Sequence, residues 1–273
     1  MKRLLNVFVV LILMVVSLNA QVFQQIPNAG SVNWQDQLIT ATGIGAPNPK
    51  MPMAAQRAGA LEAAKLVALR NLLQTVKGMS LTSETTVENA MVQSDIIQTR
   101  VEGIVRNFRV INQRYMSDGS VEVDVEIPLS GILLDALLPA MGTPMAPGQG
   151  YPGYQAIPAN VVYTGLIIDA RGIGVRPAMA PKILDEQGNE VYGTGYVSRE
   201  FAVQQGVVGY EKDLNRAKSN ERVTNNPVVV KAIKASGTNK SDVVINNNEA
   251  QQILNAAKTQ NFMEQCRVMI ILD

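Results

Sequence analysis

Three carboxylates on alternate residues are the first candidates for chemistry: Glu122, Asp124 and Glu126, in the run Val121-Glu-Val-Asp-Val-Glu-Ile127. On an extended strand, alternate side chains share one face at a spacing of roughly 7 Å. Such a row can hold a metal ion or present an acidic stripe to a partner. No histidine converges on it, because the chain contains none, and the row reads as a solvated strand face. The missing histidine also removes Ser-His and Cys-His nucleophiles, the commonest general base and the usual zinc ligand sets. A hydrolase built on carboxylates alone needs two that converge. Glu84, Glu88 and Asp95 are available, but their spacing gives no such pair.

Two further stretches invite a chemical reading. Val161-Val-Tyr-Thr-Gly-Leu-Ile-Ile168 reads as a largely apolar strand, and Asp169-Ala-Arg-Gly-Ile-Gly174 follows it. A strand leading into Gly-x-Gly suggests nucleotide binding. The third glycine is missing, however, and Pro177 and Pro181 stop a helix from starting there. Without a helix N-terminus the usual anion site does not form, so this is read as a tight turn with Asp169 and Arg171 exposed or paired. Cys266 is the single cysteine. It can form no internal disulfide. An intermolecular bond or a reactive thiol is one reading, and a buried thiol in an apolar strand over 266–272 is the preferred one. We therefore assign no catalytic residue, no cofactor and no metal ligand.

The elements that must position these residues are clearest over 53–129. Residues 54–76 read as an alanine-rich helix, with Ala54, Ala58, Leu61, Ala68, Leu69, Leu72, Leu73 and Val76 on one broad face. Small alanines there let the helix lie close on a sheet. Gly78 supplies a stop, and Pro52 stands just ahead, where a missing N–H costs little. Residues 81–87 read as a strand. Ser94 reads as the cap of a short helix carrying Ile96, Ile97, Val101 and Ile104. Residues 105–115 and 120–127 then form a hairpin around Met116-Ser-Asp-Gly119, with Val121, Val123, Val125 and Ile127 inward. Upstream, 21–33 is polar and extended, and a first strand within 34–45 leads to a proline-rich loop.

The two ends and the middle differ in character. Met1-Lys2-Arg3, an apolar run of roughly 15 residues and Asn19-Ala20 make residues 1–20 a secretory signal peptide. The run is short of the roughly 20 residues a spanning helix needs. No cysteine follows it to accept a lipid. Removing Lys2 and Arg3 leaves 22 basic against 23 acidic residues, so the mature surface offers no footprint for nucleic acid. Residues 141–158, dense in Pro and Gly and free of charge, read as a linker; its Tyr-Pro-Gly-Tyr segment is a connector before it is a docking motif. Residues 159–273 read as a second, strand-rich unit, with strands near 161–168, 181–197, 226–233, 241–246 and 266–272. A short helix at 249–259 is capped by Asn247 or Asn248, and Asp242 is expected to be exposed. The fold class is α+β: a long helix on an antiparallel sheet in a first unit at 21–140, then the strand-rich second unit.

The first unit also resembles a known family. The helix AAQRAGALEAAKLVALRNLL, then Val76-Lys-Gly78, SETTVEN, a short helix and the hairpin ending VEVDVEIPL resemble the Lpp-twenty lipoprotein family. The same pattern is similar to the N-terminal domain of flagellar assembly protein T and to flagellar basal-disk protein P. The resemblance covers 34–138, and the second unit is similar to the C-terminal region of some long members. It implies an exported, non-enzymatic structural or assembly protein of the bacterial envelope, periplasmic or at the cell surface. It also implies a homo-oligomer with envelope or flagellar partners and no nucleic-acid or small-molecule ligand. The alternative is an adaptor that binds peptidoglycan or an envelope protein. The lipobox cysteine of the lipoprotein members is absent here.

Overall fold

The computed structural model describes residues 21–141 and 162–273. The signal segment and all of the expected linker except Met141 lie outside the described residues. The first unit is a five-stranded antiparallel sheet made from β1 (Phe23–Ile26), β2 (Gly30–Asn33), β3 (Leu38–Gly45), β4 (Arg109–Tyr115) and β5 (Val121–Pro128), in the order β1-β2-β3-β5-β4. The extended stretch at 21–33 is thus a hairpin.

Helix α1 (Met53–Lys77) covers this sheet. Ala60, Ala64, Ala68 and Leu72 recur at every fourth residue and are fully buried. Beneath them β3 offers Gly43 and Gly45, which have no side chain to hold the helix away. A Cβ on Gly45 would meet Ala60 O at 2.0 Å, and one on Gly43 would meet Ala64 O at 2.2 Å. Of the face expected inward, Ala68, Leu72 and Val76 are buried, whereas Ala54 and Ala58 in the first turns are exposed and Ala60 and Ala64 are buried instead. Because β3 ends at Gly45, opposite Ala60, the helix residues before Ala60 overhang its end.

Two short helices follow, α2 (Val87–Gln93) and α3 (Asp95–Arg106). Ser94 Oγ accepts from Ile97 N at 3.4 Å, the cap expected of it. The strand expected at 81–87 is not formed, apart from one bridge between Ser80 and Thr86. Its hydroxyls are taken locally: Thr82 Oγ1 accepts from Glu84 N and Thr85 N, and Thr86 Oγ1 caps α2 through Asn89 N. Short hydroxyl side chains compete with the ladder in this way. The hairpin forms around Gly119, which takes φ 84°, and its first arm starts at Arg109 because the α3 helix runs through Arg106. Val121, Val123 and Val125 are fully buried. Helix α4 (Ile132–Leu137) then carries Leu133, Leu134 and Leu137 inward.

The second unit contains a fully parallel sheet. β6 (Gly165–Asp169), β9 (Gly209–Glu211), β10 (Pro227–Lys231) and β13 (Val268–Ile271) are ordered β10-β6-β13-β9. The central strands read Gly-Leu-Ile-Ile-Asp and Val-Met-Ile-Ile because a parallel sheet is covered on both faces. A smaller mixed sheet holds β7 (Ile183–Leu184), β8 (Glu190–Tyr192), β11 (Lys234–Ser236) and β12 (Asp242–Val244), ordered β11-β12-β7-β8. The expected strand continuation at 193–197 is a short turn of 3-10 helix, Thr194–Tyr196. Helices α5 (Arg199–Gln205), α6 (Leu214–Lys218) and α7 (Asn247–Ala257) complete the unit. The cap of α7 is Asn246, one residue earlier than expected: its Oδ1 accepts from Glu249 N at 2.9 Å while its amide donates to Glu249 Oε2.

One apolar core runs through both units. Trp34 packs edge-on against Tyr210 with ring centroids 5.7 Å apart. Backbone bonds cross as well: Met179 N donates to Ser80 O, Ala180 N to Leu81 O and Gly131 N to Val203 O.

Candidate functional site

The carboxylate stripe of β5 is built by the hairpin register, which sets Arg114 opposite Glu122 and Arg109 opposite Glu126. It is not the open solvated face expected. Arg114 grips Glu122 with Nη2 at 2.7 Å and Nε at 3.2 Å, and reaches Asp124 with Nη1 at 2.6 Å. Asp124 also accepts from Thr42 Oγ1 at 2.7 Å, across the β3 side of the ladder. Arg109 pairs with Glu126, which is buried. Burial pushes the Asp124 carboxyl up, but Arg114, Thr42 and Asn112 together outweigh it and hold the group below its ordinary range. These acids are each occupied by a basic partner and spread along a strand. They fasten the sheet edge.

The other carboxylates do not converge either. Glu84 accepts from Thr238 Oγ1 at 2.7 Å and from Thr238 N, and those bonds lower its pKa. Glu88 stands in the first turn of α2 and Asp95 in the first turn of α3, where an acid favours the helix dipole. Among the described residues, no group of three or more Cys, Asp or Glu side chains is placed to hold a metal ion. The segment after β6 is a turn with Gly172 and Gly174 at positive φ. There Arg171 clamps Asp169 through Nη2 at 2.6 Å and Nε at 2.8 Å.

Cys266 is buried, but in a turn ahead of β13, where its φ is 55°, rather than in the strand itself. Burial pushes its thiol up to about 12, against a weaker downward pull from Arg222 and Tyr192. That leaves it protonated and a poor nucleophile. Arg222 inserts beside it with no carboxylate partner among the described residues and donates to the carbonyls of Gly206, Cys266 and Gln205. Gln205 ends α5, so the guanidinium meets the negative end of a helix. Burial lowers its pKa from the ordinary arginine value.

The residue missed in sequence is Asp242. It was expected on the surface, and it lies 5% exposed at the seam between the units. Ser83 Oγ donates to its Oδ2 at 2.5 Å, and Lys182 N donates to Oδ1 at 2.7 Å. Burial raises its pKa and those bonds recover only part of the cost. The seam continues through Asn239, whose N–H donates to Ser83 O and whose amide donates to Thr82 O. No sequence signal marks Asp242, because its partner is 159 residues away.

Residues 30–128 match the family model of the LPP20 lipoprotein. Over these residues the chain is similar to the LPP20 family. Its matched span covers the sheet from β2 to β5 together with α1, α2 and α3. Residues 165–273 match a second model, the second domain of Treponema pallidum Tp0624. The LPP20 match supports an exported, envelope-associated bacterial protein. No curated protein matches the chain. Among the described residues no helix is long and apolar enough to cross a membrane.

Proposed function

We propose that the chain is a non-enzymatic structural component of the bacterial envelope that assembles with copies of itself. The observation that carries this reading is the outer face of the helical layer. Leu66 on α1 is 64% exposed, and beside it Leu69, Leu73 and Val105 line a groove of about 230 Å³. Arg70, Arg106 and Glu102 rim that groove with both signs of charge. A patch that is apolar at the centre and mixed in charge at the rim suits an isologous contact with a second copy. Burying one such leucine is worth about 1.5–3 kcal/mol. Light scattering on residues 21–273 during size exclusion tests the proposal, and a strict monomer at high concentration counts against it.

A flagellar-motor setting is the narrower form of this reading and rests on the sequence resemblance alone. The alternative, a periplasmic adaptor for peptidoglycan or an envelope protein, draws support from the groove at the seam described next. Retention on purified sacculi without self-assembly favours it.

A further inference from the structure

We infer that the groove between the two units, beside the free edge of β1, docks an extended acidic peptide segment by strand addition. The first ground is the phase of the ladder. Trp34 N donates to Val22 O, and hydrogen-bonded pairs alternate along an antiparallel ribbon. Residues 22, 24 and 26 therefore bond inward to β2, and the backbone of Phe23 and Gln25 faces out. β1 is the outermost strand of its sheet. Among the described residues, Gln25 N–H, Gln25 C=O and Phe23 C=O meet no partner, while Phe23 N–H folds back onto Gln21 O. An open edge of this kind is a template for another strand.

The second ground is what lies beside that edge. The second unit brings the carboxyl ends of its parallel strands there: Val175 to Pro177 after β6, Lys212 after β9, and Leu272 with Asp273 after β13. They enclose about 330 Å³ against Val22, Phe23 and Gln24, within the range of peptide and small-ligand sites. Val175, Pro177 and Leu272 give an apolar floor, and Phe23, 58% exposed, gives one wall.

The third ground is charge. Neither Arg176 nor Lys212 has an ion-pair partner among the described residues. Asp273 is the acid of the lining, and its Oδ1 accepts from Gly172 N at 2.8 Å, on the side of Arg171. The lining thus sets two cationic side chains against one carboxylate side chain, a net side-chain charge of +1. An added strand sets alternate side chains on opposite faces. One set rests on the apolar floor, and the other carries carboxylates to Arg176 and Lys212. The free backbone groups select an extended peptide over a small anion, which would leave them unused. The inference does not depend on self-association.

The test titrates the full chain into a fluorescein-labelled hexapeptide alternating valine and glutamate, read by anisotropy. A valine–lysine hexapeptide serves as control. The acidic peptide is expected to bind saturably and to weaken as salt rises. The pair Arg176→Glu and Lys212→Glu is expected to weaken it roughly tenfold or more. Gln25→Pro removes the outward N–H without touching an inward pair and is expected to lose binding as well, with thermal midpoints confirming that each variant is folded. The charge-reversal pair alone decides the matter if Gln25→Pro fails to fold. Absence of saturable binding overturns the inference, as does equal binding of the lysine peptide or affinity unchanged by charge reversal.

Discussion

Replacing Gly43 by alanine tests the contact on which the first unit is built. The added Cβ would lie 2.2 Å from Ala64 O, 2.2 Å from Ala68 N and 2.8 Å from Ala68 Cα. All three are backbone atoms of α1, so no side chain can turn aside. Ordinary contact begins near 3.4 Å, so the helix must retreat by about 1.2 Å at this point. Overpacking of this kind costs roughly 1–3 kcal/mol, and a backbone obstacle places the cost at the upper end. Alanine returns about 0.4–1 kcal/mol by restricting the unfolded chain. The net loss is about 2 kcal/mol, a fall in Tm of roughly 4–8 °C. Gly103, in the middle of α3, is the control: a Cβ there meets nothing within 4 Å. Gly103→Ala is expected to stabilise the chain by about 0.5–1 kcal/mol through helix propensity. Urea unfolding followed by far-UV circular dichroism reads both. A Gly43→Ala midpoint equal to the wild type refutes the close approach of α1 to β3.

Three further expectations follow from the buried polar groups and caps. Asp242 binds its proton more tightly in the folded chain than in the unfolded one, so its contribution to stability is full below about pH 4 and declines as pH rises through its folded pKa. Asp242→Asn, with Ser83 Oγ turning from donor to acceptor, removes that decline; the stability of the variant relative to wild type is expected to grow with pH in urea titrations. The depressed carboxylates Glu84, Asp118, Asp124 and Asp169 slope the other way in both proteins and cancel in the difference. Cys266 is expected to resist a water-soluble thiol reagent at mildly alkaline pH until the chain is unfolded, as monitored by absorbance during a denaturant series. Ser94→Ala removes the cap on Ile97 N and is expected to cost about 0.5–2 kcal/mol, read as a lowered urea midpoint.

Local rules carried much of the first unit. The Asp-Gly hairpin, the Ser94 cap and the alternation of Val121, Val123 and Val125 each depend on residues a few positions apart, and each is in place. The long helix was legible as a helix, and with it Ala68, Leu72 and Val76 of its inward row, but Ala60 and Ala64 of that row were not. That row is selected by Gly43 and Gly45 on a strand far back in the chain. Residues 81–87 looked like a strand because β-branched residues dominate them, yet their hydroxyls serve turns and a cap. The hairpin register also held a signal that went unread, since Arg109 and Arg114 face Glu126 and Glu122 directly. Asp242 and the seam groove rest on contacts between the two units, and Arg222 on carbonyls at 205, 206 and 266 far from it in the chain; one-dimensional patterns carry none of these.

The proposed assembly role stands or falls on self-association through the α1 and α3 face. Sedimentation velocity on the full chain, beside Leu66→Glu, measures it directly. Leu66 is 64% exposed, so the charge leaves the fold intact and acts only on what covers that face. The account predicts concentration-dependent association of the wild type that Leu66→Glu abolishes. A wild-type chain that stays monomeric at every concentration, or association unchanged by Leu66→Glu, contradicts it.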